Sequence, residues 1–167
     1  MYRASLLALL FSALLAFGPV AHAQQQAAPP PPPAYGPPVT TDQAKKAVAA
    51  ALAEAKSKPY PLVFAVVDPS GSLVYFEKMD GAIYASNDIA IGKARTAATF
   101  KRPTMAFFEQ MEGGHGYVAT LSPGLVASGG GIPLIVDGKV VGAIGVSGSP
   151  SGVLDQAAAQ AGVNALK

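Results

Sequence analysis

A chain of 167 residues is long enough to close one hydrophobic core, and with 12 basic against 10 acidic side chains it carries a formal charge of only +2. That near balance excludes a dedicated nucleic-acid surface, which needs clustered lysine and arginine. With no cysteine there is no disulfide, no thiolate nucleophile and no sulfur cage for zinc or an iron–sulfur cluster.

Residues 1–23 combine Arg3, the apolar run "LLALLFSALLAFG" and a closing Ala21-His22-Ala23. A charged start, a short apolar centre and small residues two apart predict a secretory signal peptide cleaved after Ala23, the apolar run being short for a membrane span. Cleavage removes one basic residue, Arg3, and leaves 11 basic against 10 acidic side chains. Residues 24–40 follow, with "QQQAAPPPPPAYGPP" as their bulk. Consecutive prolines favour an extended rod with little to bury, so this stretch reads as a disordered linker outside the fold.

Residues 41–167 read as the folded domain. Thr41 and Asp42 offer an N-cap, and Ala44, Val48, Ala51, Leu52 and Ala55 recur at helical spacing until Pro59 stops them. "LVFAVVD" and "LVYFEKM" are β-branched and aromatic runs joined by Pro69-Ser70-Gly71, which predicts two antiparallel strands around a tight turn. A long alanine-rich helix over "SNDIAIGKARTAATFK" comes next, in which Gly92 permits close packing. A short helix over "PTMAFFEQMEG" follows and is ended by Gly113 and Gly114. "IPLIV" and "KVVGAIGVSG" flank Asp137-Gly138, the dipeptide of a two-residue type I′ hairpin, and are apolar enough for strands covered on both faces. "VLDQAAAQAGVNAL" closes the chain as a helix. Two hairpins among helices predict an α+β domain with an antiparallel sheet.

Conventional hydrolytic chemistry has little support. "GVSGS" lacks the final glycine of a nucleophile elbow, and Asp68, Glu77, Asp80 and Asp88 sit where turns and caps ordinarily use acidic side chains. No phosphate-binding glycine motif is present either.

"MDGAIYASNDIAIGKARTAATF", "PGLVASGGGIPLIVDGKVVGAIGVSG" and the terminal alanine-rich helix, in this order, resemble the GlcG/HbpS-like family. The resemblance covers nearly the whole chain from about Thr41. It implies a profilin-like antiparallel sheet flanked by helices, homo-oligomeric assembly, and haem binding or degradation; a related domain occurs fused to cobalamin-processing enzymes. Relatives often carry an acidic segment before the last helix, where this chain has "SPSGVLDQ" and only Asp155.

If haem is the cofactor, its iron needs a His, Met, Tyr or Cys ligand. His115, in "EGGHGY", is the only imidazole left after signal cleavage, and Tyr117 stands two residues on. His115 reads either as the metal ligand or as a polar loop residue. Met79, Met105 and Met111 read as core filler, and Tyr84 as a structural tyrosine. Lys93 and Arg95, with Lys101 and Arg102, form either a solvated helix face or a grip on an anionic ligand. Gly129, Gly130 and Gly131, and the stretch from Gly148 to Gly152, read either as tight packing or as free backbone N–H groups for a carboxylate. Glycines 142, 145 and 148 read as bulges or as sites where a helix lies close on the strand. The expected function is that of a periplasmic or secreted haem-binding protein for storage, transport or sensing. The expected partner is haem or another anionic small molecule, and the alternatives are an enzyme of the same fold acting on haem or a small organic acid, and a non-catalytic interaction module.

Overall fold

A computed structural model describes residues 30–167; the expected signal peptide and the first residues of the proline-rich stretch lie outside the described residues. The elements run α1 (Thr41–Ala55), β1 (Val63–Val67), β2 (Leu73–Lys78), α2 (Ala85–Phe100), α3 (Met105–Glu112), a short 3₁₀ helix (Gly116–Thr120), β3 (Gly131–Val136), β4 (Lys139–Ser147) and α4 (Gly152–Asn164). The four strands form one sheet in the order β2-β1-β4-β3, antiparallel throughout, so the two expected hairpins meet along β1 and β4. At the second hairpin Asp137 and Gly138 both have positive φ, 49° and 71°, as a type I′ turn requires.

Side-chain alternation on the central strands separates two cores. Phe64 and Val66 of β1, with Ile144 and Val146 of β4, face α1 and α4 in the larger one. Val63, Ala65, Val67 and Ala143 face the alanines of α2 on the other side. Both middle strands are therefore covered twice, which is why their sequences are continuous apolar runs without polar alternation. Gly145 shows how closely α2 lies: a Cβ there would strike the backbone carbonyl of Ala90 and come within 2.6 Å of the Ala94 nitrogen. The expectation of a helix laid upon the strand holds at this position.

The first helix begins one residue earlier than the sequence suggested. Thr40, not Thr41 or Asp42, is its N-cap: the Thr40 hydroxyl accepts from the Gln43 N–H, and the Gln43 side chain accepts from the Thr40 N–H. This reciprocal box satisfies two helix-end donors. Thr40→Ala is expected to lower stability by about 1 kcal/mol, read as a shift of the urea midpoint at unchanged m-value.

The stretch assigned to a disordered linker is ordered at its end. Gly36 N–H donates to the Val140 carbonyl, Val140 N–H to the Ala34 carbonyl, and Val39 N–H to the Val141 carbonyl. The Tyr35 hydroxyl donates to the Ala98 and Thr99 carbonyls at the end of α2, and Lys101 lies 4.0 Å from the Tyr35 ring centroid. The reason is geometric: β1 ends at Val67 opposite Ala143, so β4 runs on with unpaired ladder positions that the incoming chain fills. Among the described residues, no helix is long and apolar enough to cross a membrane.

Candidate functional site

The outward face of α2 is the floor of a surface groove of about 610 Å³, within the range of about 300–1,000 Å³ that small-molecule sites occupy. Asp88, Gly92, Arg95 and Thr99 fall three or four residues apart and share this face. One wall is the β1–β2 turn at Ser70 and Gly71, the other the segment 122–126. Ile91, Phe100, Leu125 and Val126 supply apolar surface, and Arg95 is the only cation in the lining.

Local chemistry holds each wall in place. Asp68 accepts from the N–H groups of Ser70 and Ser72 and from the Ser70 hydroxyl, which fixes the turn. The Ser70 hydroxyl is also the main reason that the Asp68 carboxyl lies below its ordinary pKa. Arg95 Nε donates to the Gly71 carbonyl at 3.0 Å and so joins this wall to the floor. Opposite it, the buried Thr96 hydroxyl accepts from the Val126 N–H at 3.0 Å. A Cβ on Gly92 would come within 2.7 Å of Val126, so the close packing expected there is against this wall.

The structure separates the residues that the sequence grouped. Arg95 lines the groove; Lys93, on the opposite face of α2, is 1% exposed and points into the protein. Its ammonium donates to Asp155 Oδ2 at 2.7 Å and to the Val146 carbonyl at 3.0 Å, so it has no place in a solvent-facing grip. Burial pushes the Lys93 pKa down, opposed by the Asp155 charge and hydrogen bond. Lys101 lies over Tyr35, while Arg102 stacks on Phe107 and donates to Gln110, so the four cations do not act together.

His115 and Tyr117 are exposed in the segment between α3 and β3, outside the groove lining. The His115 ring contacts the Gln110 carbonyl through Nδ1 at 3.3 Å and meets Tyr117 edge-on, with centroids 6.1 Å apart. Two of the three loop glycines have N–H groups already used within the protein. Gly130 donates to Gln156 Oε1 at 2.8 Å, and Gly131 to Thr104 Oγ1 at 2.9 Å. Space is equally short: a Cβ on Gly129 would strike the Gly152 carbonyl and the Met105 side chain, and one on Gly131 the Lys93 carbonyl. In this triplet the packing alternative describes the geometry. The stretch from Gly148 is similarly engaged, with Ser149 N–H on Asp155 Oδ1 at 3.0 Å.

Asp155, the lone acidic residue of its segment, is the residue whose role the sequence did not disclose. It is 3% exposed, receives the Lys93 ammonium on one oxygen and the Ser149 N–H on the other, and so ties α2, the loop after β4 and α4 together. A helical lysine on an otherwise small, apolar face, Ala90-x-x-Lys93-Ala94, is the one signal that a buried partner was needed.

A family model described as "Haem degrading protein HbpS-like" matches residues 39–164. Protein GlcG of Escherichia coli strain K12 is 36% identical over 104 residues, 62% of this chain and 77% of GlcG. Among solved structures, a double mutant of Streptomyces reticuli HbpS superposes with TM-score 0.72 at 32% identity, covering 91% of this chain and 99% of that one. The crystal structure of a PduOC haem complex gives TM-score 0.71 at 28% identity, covering 78% of this chain and 96% of that one. With the family pattern running through every strand and helix that builds the groove, the chain belongs to the HbpS-like family.

Proposed function

We propose that this protein binds haem outside the cytoplasm, as a store, carrier or sensor of the ligand. The observation that carries the reading is the groove on α2. Its apolar patches, Ile91 and Phe100 on the floor with Leu125 and Val126 on one wall, suit a flat ring, and the Arg95 guanidinium, which among the described residues pairs with no carboxylate, suits an acidic edge. Membership of the HbpS-like family, with a haem complex among its solved relatives, supports the same ligand. The N-terminal pattern of Arg3, an apolar run and Ala21-His22-Ala23 supports export. Homo-oligomeric assembly is part of the proposal. It draws on the family resemblance and on the exposed apolar side chains Phe108, Met111, Tyr117 and Leu121, and light scattering on the purified protein tests it.

The groove fits the organic part of haem better than its metal. None of the side chains lining it is His, Met, Tyr or Cys, the usual protein ligands of haem iron. Among the described residues, no three His, Cys, Asp or Glu side chains gather as a metal site would need. Arg95 would hold the carboxylate edge while Ile91, Phe100, Leu125 and Val126 exclude water from the ring. Bound haem would bring the redox chemistry of its iron.

Titration of the purified protein with haemin is expected to give a saturable, stoichiometric shift of the Soret band at micromolar protein. An unchanged spectrum, together with tight binding of an unrelated metabolite, would remove the reading. The family description favours one second reading, degradation of the ligand. Loss of the Soret band under reductant and oxygen, with catalase present against peroxide bleaching, would select it over storage.

A further inference from the structure

We propose that the groove on α2 recognises the ring and the carboxylate edge of a tetrapyrrole and gives its metal no protein ligand, so that its ligand class is carboxylated planar tetrapyrroles with or without iron. The inference rests on the haem-binding reading and narrows it to the part of the ligand that the groove reads.

The groove's polar side chains show what is left to meet a ligand. Of the hydroxyls in the lining, Thr96 receives the Val126 N–H, Thr99 donates to the Arg95 carbonyl, Ser70 donates to Asp68 and Ser122 donates to the Pro123 carbonyl, so each serves the protein's own structure. Arg95 spends Nε on the Gly71 carbonyl. The two Nη groups remain, held by that bond in a fixed orientation, and form a two-pronged donor matched to a carboxylate. Asp88 is the one carboxylate in the lining, two helical turns before Arg95, about 10 Å along α2. An acidic edge is thus repelled at one end of the floor and received at the other, which orients the ring.

Among the described residues, every His, Met and Tyr lies outside the groove lining. Met79 packs against the main core, its sulfur accepting the Leu62 N–H. Met105 lines a separate cavity of about 90 Å³ beside Phe108 and Gly129. His115 contacts the Gln110 carbonyl of α3, and Tyr117 pairs edge-on with its ring, both outside the groove lining. A site that grips through apolar side chains and one guanidinium discriminates by shape and charge, and the central metal contributes little.

The test compares haemin, zinc protoporphyrin and metal-free protoporphyrin on the full-length mature protein, by absorption and fluorescence titration. The three are expected to bind with Kd values within about threefold of one another, and His115→Ala is expected to leave all three unchanged. Arg95→Gln is expected to weaken all three by roughly tenfold or more, the loss of a charge-assisted pair. Because Arg95 also supports the Gly71 turn, a change on the ligand provides an independent arm: the porphyrin dimethyl ester should bind the unaltered protein as weakly as the free acid binds the variant. Haemin binding that His115→Ala abolishes, or that metal-free protoporphyrin fails to reproduce, would overturn the inference and leave the haem reading standing. If none of the three binds, the haem reading itself fails.

Discussion

Lys93→Met is expected to destabilise the protein by roughly 3–5 kcal/mol, because it leaves the Asp155 carboxylate buried beside α2 without its cation. Asp155→Leu should cost a similar amount by stranding the ammonium, and it also removes the acceptor of the Ser149 N–H. The double variant Lys93→Met/Asp155→Leu should recover a large part of the loss, since a buried ion pair replaced by apolar groups of similar volume is often neutral. Chemical denaturation of the four proteins forms a double-mutant cycle, and strict additivity would show that the pair does not interact as described.

The same lysine gives the pH dependence a defined sign. Burial lowers its folded pKa below the ordinary 10.5, so between that lowered value and 10.5 the unfolded chain binds more protons than the native protein. Stability therefore rises with pH across this window, in which the neutral amine still donates to Asp155 and to the Val146 carbonyl, as a methionine cannot. Lys93→Met should flatten that alkaline slope. A slope that persists unchanged in the variant would assign it to another group.

Gly145→Ala is expected to be the other severe substitution, costing ~3 kcal/mol or more and lowering Tm on the order of 10 °C. The added methyl would meet main-chain atoms of Ala90 and Ala94, which no side-chain rotation can move aside. α2 would have to lift bodily from β4, and Arg95 would move with it. Gly116→Ala is the control, because a Cβ there meets nothing within 4 Å and the glycine has no left-handed φ; it should stay within about 0.5 kcal/mol of the parent protein. Differential scanning calorimetry of both decides the matter, and a mild effect at Gly145 would mean that the helix does not sit so close.

What could be read from the residues alone was what local chemistry encodes. Asp137-Gly138 announced its turn because both residues tolerate positive φ, and the apolar runs of β1 and β4 announced burial on two faces. Gly145 was legible as a close-contact glycine, although the contacting helix could not be named. The missed features depend on partners remote in the chain. Lys93 and Asp155 are 62 residues apart, so although the small apolar face around the lysine points inward, nothing near it names the partner. The groove needs α2, the Ser70-Gly71 turn and segment 122–126 at once, and the last of these has no periodicity to mark it. His115 stands out only as the sole imidazole beyond the expected signal peptide, and composition carries no spatial information. Tyr35 was hidden among prolines, whose composition argues for a spacer even though the tyrosine and Gly36 are anchored.

That anchoring bears on how the protein keeps to itself. Where a strand outruns its neighbour, its bare amide and carbonyl groups invite a stranger's backbone to add on, the first step toward fibrous association. Here the vulnerable positions, at Val140 and Val141, are occupied in cis by Ala34, Gly36 and Val39, and prolines on either side have no N–H with which to extend the pairing. The segment just ahead of the domain thus leaves those backbone groups of β4 already paired within the chain and closed to a second molecule.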